Sequence, residues 1–146
     1  MKIVQLHLLA YGPFTRETLD FTSAPHGLHL IYGPNEAGKS TTLRALRRLL
    51  YGIPLSCEDD FLHPGPELRI GALLRDEKGS LECIRRRGTK SAKGVLRAAD
   101  DDTLVDTARL EEMLAGVDVL LNAGDYALLR PLRRDLVADL DRGVRR

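Results

Sequence analysis

Hydrophobic and polar positions alternate near the start of the chain and predict three short β-strands. Apolar side chains recur on one face of residues 2 to 9, and a turn at Tyr11-Gly12-Pro13 follows. The same pattern predicts a second strand from Glu17 to Phe21 and a third from Leu28 to Tyr32. We therefore expect the chain to enter its first glycine-rich stretch from a strand.

The spacing of apolar residues becomes helical in the next segment. Four leucines fall on one stripe and predict a helix from Thr41 to Tyr51. They are Leu43, Leu46, Leu49 and Leu50. Gly52 and Pro54 follow, and this order is typical of a helix C-terminus.

Two strand-like runs, Leu68 to Arg75 and Leu81 to Arg86, flank a short polar segment. They predict a hairpin in which Gly79 takes the turn position that needs a positive φ. Another strand is expected from Val95 to Ala98, before the acidic turn at residues 100 to 102.

Two further helices are predicted toward the end of the chain. Asp106 or Thr107 can cap the first, which runs to Leu114 and ends at Gly116. Its inward-facing side chains are expected to be Leu110, Met113 and Leu114. Pro131 suits the first turn of the second helix, whose apolar residues recur at four-residue spacing. These are Leu132, Leu136, Leu140 and Val144.

A phosphate-binding motif, G-x-x-x-x-G-K-S, stands between the third predicted strand and the first predicted helix. It consists of Gly33, Pro34, Asn35, Glu36, Ala37, Gly38, Lys39, Ser40 and, next in the chain, Thr41. The glycines let successive backbone N–H groups point inward, and the helix adds its positive end. Lys39 can reach the β- and γ-phosphates as the catalytic lysine, and the Ser40 hydroxyl can hold Mg²⁺. The motif predicts binding of ATP with Mg²⁺.

Composition indicates one globular domain and narrows the classes of partner. A net charge of +1 gives no overall field toward nucleic acid or membrane, so such contacts would have to be local. Cys57 and Cys83 lie far apart without metal-ligand spacing, which favours reduced thiols over a zinc site. The N-terminal residues are too short and interrupted for a signal peptide or membrane span, so we expect a cytoplasmic protein without membrane contact.

The order of several short phrases is that of a known family. Leu8 to Phe14 reads L-x-x-Y-G-x-F, the phosphate-binding motif reads G-P-N-E-A-G-K-S-T, and Asp59 to His63 reads D-D-F-L-H. The chain resembles the N-terminal lobe of the YhaN-type AAA domain, a relative of the SbcC, SMC and RecF ATP-binding-cassette ATPases. The resemblance runs from residue 1 to about 118, leaving 119–146 as a C-terminal helical segment of undetermined role.

The resemblance implies a fold and a set of contacts. The fold would be the α/β fold of a P-loop NTPase, similar to lobe I of the cassette ATPases. It would have a central sheet, an antiparallel β-hairpin layer and C-terminal helices. Backbone groups from Asn35 to Thr41 would contact the phosphates, with Lys39 on the terminal phosphates, Ser40 on magnesium and Thr41 near the α-phosphate. The loop from Tyr11 to Phe14 would lie near the base or ribose.

The resemblance also implies partners, because such proteins work as pairs of heads. A second ATPase lobe, a head-to-head dimer around two ATP molecules, a nuclease subunit and DNA ends are typical of these relatives. The family's signature loop, its strand ending in Asp-Glu, its switch histidine and its Q-loop glutamine are not found here. Gln5 is the only glutamine, and neither Leu73 to Glu77 nor Val117 to Asn122 imitates the Asp-Glu strand well. We therefore expect a truncated DNA-repair ATPase lobe that binds ATP far better than it hydrolyses it.

A basic cluster follows the predicted hairpin and has two interpretations. It comprises Arg85, Arg86, Arg87, Lys90 and Lys93. Clustered cations can contact a DNA backbone. The preferred interpretation is a solvated strand end balanced by the acidic turn at residues 100 to 102. His63 is expected to be a loop residue satisfied by backbone.

Two other functions remain open. A degenerate, non-enzymatic binding or assembly module would dock on a partner through the C-terminal apolar stripe. A small P-loop phosphotransferase, such as a nucleotide kinase, also opens with this motif, but the hairpin and the acidic turn fit it poorly.

Overall fold

The computed structural model describes residues 1–23, 29–89 and 94–115, and the backbone of two more strands. In chain order the elements are β1 (Lys2–Tyr11), β2 (Phe14–Asp20), α1 (Lys39–Tyr51), β3 (Arg69–Asp76), β4 (Gly79–Arg86), β5 (Val95–Ala98), α2 (Thr107–Leu114), β6 (Val117–Leu121) and β7 (Ala127–Pro131). A short 3₁₀ helix, Gly65–Glu67, precedes β3. Within these ranges no helix has the length and apolar character to span a membrane.

One five-stranded antiparallel sheet organises the domain, in the order β2-β1-β3-β4-β5. The central strand β1 pairs with its neighbour β2 and with the distant β3, so that Leu6 stands opposite both Leu19 and Ala72. β3 and β4 form the predicted hairpin, and Gly79 adopts the expected positive φ, at 138°. The structure is therefore a mixed α/β domain built on an antiparallel sheet.

The core lies between one face of this sheet and α1. Alternation along the strands buries Leu6, Leu8, Ile70, Ala72 and Leu74 on that face. The helix contributes Ala45, Leu49 and Leu50, and α2 adds Leu110 and Met113. Full burial of one such large apolar side chain is worth about 1.5–3 kcal/mol, so this cluster supplies most of the driving force for folding.

Several local predictions are confirmed. The first helix ends at Gly52, whose N–H donates to the Arg48 carbonyl. The second is capped by Asp106, whose side chain accepts from the Ala108 N–H at 2.9 Å. β5 occupies the predicted range.

The predicted strand from Leu28 to Tyr32 was wrong where the structure describes it. Residues 29 to 32 have no strand structure, and the side chains of Leu30 and Tyr32 are 76% and 85% exposed. A strand needs a neighbour for its backbone hydrogen bonds, and no described strand pairs with this segment. The expectation of a central sheet with a separate hairpin layer was also wrong, because β3 and β4 join β1 and β2 in one sheet.

The C-terminal segment contains strands where helix was expected. β6 and β7 pair antiparallel in a separate two-stranded sheet, with Val117 opposite Pro131. Pro131 ends a strand, a position that tolerates its missing N–H. The helix predicted through Leu132, Leu136, Leu140 and Val144 lies outside the described residues, as does Gly116.

Arg85 lies beneath the C-terminal end of α1 and holds the helix to the sheet. Its side chain is only 3% exposed and donates to the carbonyls of Leu49 and Leu50, in the last turn of the helix. Burial lowers the pKa of this guanidinium, because the charged form has lost its water. Cys83 shares this environment, and burial raises the pKa of its thiol to about 11.

We predict that Arg85→Ala destabilises the domain by about 2–4 kcal/mol, because it opens a cavity and removes hydrogen bonds from buried carbonyls. The control is Arg86→Ala, which removes the neighbouring half-buried arginine and its ion pair with Asp102. It should cost less than about 1 kcal/mol. Urea unfolding of both variants gives the comparison, and equal losses would contradict the assigned role of Arg85.

Candidate functional site

The predicted phosphate-binding loop folds into a tight turn ahead of α1. The Ala37 N–H donates to the Pro34 carbonyl at 3.4 Å, and Glu36 and Gly38 both have positive φ, 67° and 85°. Positive φ is uncommon outside glycine, so Glu36 holds a costly conformation. Backbone that alternates between positive and negative φ is typical of loops whose N–H groups bind anions.

Lys39 is the first residue of α1, and its ammonium lies across the loop. Nζ donates to the carbonyl oxygens of Gly33 at 2.8 Å and Pro34 at 2.6 Å. The first turn of the helix has no acidic residue and no side-chain cap, so nothing in that turn neutralises its positive end. A lysine charge and a helix N-terminus thus meet at the loop, while Ser40 next to them is exposed.

The helix start is fixed by contacts on both sides of Gly38. Thr42 donates to the Gly38 carbonyl through both its N–H, at 2.8 Å, and its hydroxyl, at 3.0 Å. The ring of Phe14 lies against Gly38 so closely that a Cβ there would stand 2.3 Å from Cζ of the ring. Phe14, which follows the β1–β2 turn, therefore packs directly against the loop. Only glycine fits at position 38, because any Cβ there would clash with the Phe14 ring.

A cavity of about 270 Å³ opens beside the loop. Phe14, Glu17, Ile31, Tyr32, Ala37 and Lys39 are among its lining residues. Its volume is close to the lower end for small-molecule sites. Its position next to Lys39 makes it continuous with the phosphate-binding loop.

A buried polar group, which we call the Asp59 cluster, ties three segments together behind the loop. It consists of Tyr11, Thr41, Arg44 and Asp59. Asp59 is 1% exposed and accepts from the Tyr11 hydroxyl at 2.9 Å. Arg44 donates to the same carboxylate through Nε at 2.8 Å and Nη2 at 2.6 Å. Nη2 also lies 3.1 Å from Oγ1 of Thr41.

The surroundings of the Asp59 cluster keep Tyr11 and Arg44 protonated, so both can donate hydrogen bonds to the Asp59 carboxylate. Burial, together with Cys57 and the Asp59 carboxylate nearby, raises the pKa of Tyr11, so its hydroxyl remains a donor. The hydrogen bonds to Asp59 raise the pKa of Arg44. The apolar pattern and the motifs of the sequence did not predict this cluster, and the phrase from Asp59 to His63 indicated only a family resemblance.

Tyr11 and Phe14, which the resemblance implied near the base or ribose, have different surroundings. Tyr11 is fully buried, with its hydroxyl engaged by Asp59, while Phe14 lines the cavity. His63 is satisfied by backbone as predicted: its Nε2 lies 2.8 Å from the Phe14 carbonyl oxygen and 3.0 Å from Oγ1 of Thr15. Nε2 must be the donor to that carbonyl, which can only accept.

The described arginines of the basic cluster all have partners within the domain. Arg85 is buried under α1, Arg86 pairs with Asp102 at 2.8 Å, and Arg87 donates to the Leu55 carbonyl. The Arg86–Asp102 pair agrees with a strand end balanced by the acidic turn. Arg85 differs from both interpretations, because alternation along β4 places it on the core face with Cys83. Lys90 and Lys93 lie outside the described residues.

The described residues were compared with the ligand sets that hold metal ions in proteins. Over the described ranges, no group of three His, Cys, Asp or Glu side chains has the arrangement of a metal site. Ser40, the predicted magnesium ligand, is exposed at the start of α1.

Comparison with known proteins agrees with the motif and its surroundings. A family model described as an AAA domain matches residues 1–129. The chain belongs to this AAA domain family. The match extends past residue 118, where the predicted lobe ended.

A relative of this AAA domain chain is the uncharacterized protein YhaN of Bacillus subtilis (strain 168). The two are 28% identical over 127 residues, which make up 87% of this chain and 13% of that protein. This confirms the resemblance to YhaN-type AAA domains that the sequence phrases indicated. The chain spans only 13% of the length of this curated relative. No solved structure matches the chain.

We predict that Gly38→Ala destabilises the domain by at least about 2 kcal/mol, because its positive φ and the Phe14 ring both oppose a side chain there. The control is Gly33→Ala in the same loop. A Cβ at Gly33 meets only the Ala37 Cβ, at 3.5 Å, so this variant should stay within about 0.5 kcal/mol of the parent. Urea unfolding decides; a harmless Gly38→Ala would contradict the described loop.

Proposed function

We propose that the chain is the ATP- and Mg²⁺-binding lobe of a YhaN-type, SbcC-like DNA-repair ATPase with a P-loop NTPase fold. The observation that carries this proposal is the meeting of Lys39, the positive-φ Gly38 and the uncapped N-terminus of α1 at one loop. Each of these features favours polyphosphate binding, and their meeting at one loop supports the proposal.

The residues fit ATP and magnesium in defined roles. Backbone groups from Gly33 to Thr41, with Pro34, Asn35, Glu36, Ala37 and Gly38 between them, would surround the phosphates. Lys39 would bind the terminal phosphates as the catalytic lysine, Ser40 would bind magnesium, and Thr41 would lie at the α-phosphate. When bound, magnesium supplies charge neutralisation on the phosphate oxygens.

Hydrolysis by this chain alone should be negligible. Phosphoryl transfer needs a group that orients the attacking water, beyond the loop that holds the phosphates. Asp59 is buried and already bonded to Arg44 and Tyr11, so it is not available for this role, and the resemblance implies that the family's catalytic acids come from its second lobe. A complementing lobe, or a second head in a dimer, is therefore part of the proposal. The exposed apolar side chains of Leu30, Ile31 and Tyr32 beside the loop support such a contact.

A nuclease subunit and DNA ends remain proposed partners on the strength of the family resemblance. Since the described arginines of the basic cluster are bonded within the domain, the cluster adds little support for DNA contact. A non-enzymatic assembly module is the second candidate, and the same exposed apolar segment at Leu30 to Tyr32 favours it.

We predict that Lys39→Ala weakens binding of a fluorescent ATP analogue with Mg²⁺ by at least about 100-fold, as a charged contact to phosphate is lost. Ser40→Ala should remove the magnesium dependence while keeping metal-free binding. Arg47→Ala is the control, since it removes an exposed cation on the outer side of the same helix.

The outcomes separate the candidates. If the parent chain binds no nucleotide, the result favours the non-enzymatic assembly module. Magnesium-dependent ATPase activity in the pure protein, abolished by Lys39→Ala, would show that no complementing lobe is needed. Release of ADP only in step with a nucleoside monophosphate would indicate a phosphotransferase instead.

A further inference from the structure

Arg44 stands one turn inside α1 and bonds in two directions. One edge of its guanidinium meets the buried Asp59 carboxylate, and Nη2 also donates to Oγ1 of Thr41 at 3.1 Å. Glu58 adds a salt bridge at 3.2 Å on the more exposed side. Arg44 has no acceptor, so the direction of its bond to Thr41 is fixed.

That direction determines what the Thr41 hydroxyl can do. Because its oxygen accepts from Arg44, its own proton must point elsewhere. A threonine in a helix often donates back to the carbonyl four residues earlier, as Thr42 does to Gly38. Thr41 instead has its oxygen engaged by the Arg44 cation, which makes its O–H a stronger donor.

The rotamer of Thr41 is fixed on its other side by Gly12. A Cβ on Gly12 would come within 2.5 Å of the Thr41 methyl carbon, so the β1–β2 turn packs directly on this methyl group. The Gly12 N–H donates to the Asp59 carbonyl at 2.9 Å, which keeps the turn in place. The methyl is held by Gly12 and the hydroxyl by Arg44, and Asp59 supports both.

We propose that Arg44, held by Asp59, is a positioning residue that aims the Thr41 hydroxyl as a donor to the α-phosphate of the nucleotide. The inference rests on the proposed function, since it concerns the same phosphate site. On this proposal, the Arg44–Asp59 pair contributes to nucleotide binding as well as holding α1 in place.

The test is a double-mutant cycle on binding of the fluorescent ATP analogue with Mg²⁺. Arg44→Lys keeps a positive charge beside Asp59 but loses the fork that reaches Thr41. Arg44→Lys and Thr41→Val should each raise Kd about tenfold, and the double variant should be no weaker than either single variant. Additive losses would show that Arg44 does not act through Thr41 and would overturn the proposal.

A control separates positioning from stability. Arg85→Ala removes hydrogen bonds at the opposite end of α1 and leaves the Arg44–Thr41 contact in place. It should lower Tm without changing Kd; a matching rise in Kd would reduce Arg44 to a structural role. If Arg44→Lys does not fold, Asp59→Asn replaces it in the cycle, with the same expected coupling to Thr41→Val.

Failure of this inference differs from failure of the proposed function. A parent chain that binds no nucleotide overturns both. A parent chain whose binding depends on Lys39, together with independent effects at Arg44 and Thr41, overturns the positioning role alone.

Discussion

The buried carboxylate of Asp59 is the interaction on which the arrangement of the site depends. It accepts from Tyr11 at the end of β1 and from Arg44 in α1, and its own backbone holds the turn at Gly12. Burying a carboxylate without a partner is unfavourable. Removing one partner of a buried ion pair typically lowers the free energy of unfolding by about 3–5 kcal/mol. Its donors thus fix the distance between the β1–β2 turn and the helix that begins at the phosphate-binding loop.

The opposite end of the helix is held by a different chemistry. Arg85 donates from β4 to the last-turn carbonyls of α1, where a positive charge also suits the negative end of the helix dipole. With Asp59 near one end and Arg85 at the other, α1 has polar anchors on both sides of its apolar stripe. The phosphate-binding loop ends in the first turn of α1, so these anchors also fix the orientation of the end of the loop.

Local signals made much of this structure predictable. Gly52 and Gly79 mark a helix end and the hairpin turn because glycine tolerates the positive φ that each position has. Asp106 marks a helix start because its side chain accepts a hydrogen bond from a free N–H of the first turn. The prediction of a strand from Leu28 to Tyr32 was wrong because a strand needs a neighbouring strand, which the apolar pattern of the segment does not reveal. The Asp59 cluster could not be predicted, since Tyr11, Arg44 and Asp59 come from three separate segments of the chain. The burial of Arg85 was visible in principle, from its period-two relation to Cys83.

The pairing of β1 has a consequence for the order of folding. Its hairpin with β2 is local, whereas its pairing with β3 encloses the phosphate-binding loop and all of α1 between the two strands. Closing this long segment costs chain entropy before any of its contacts form, so we expect it to be the slow event in assembly of the sheet. We then expect the loop to take its shape when the sheet closes, so that partly folded chains lack the turn ahead of α1.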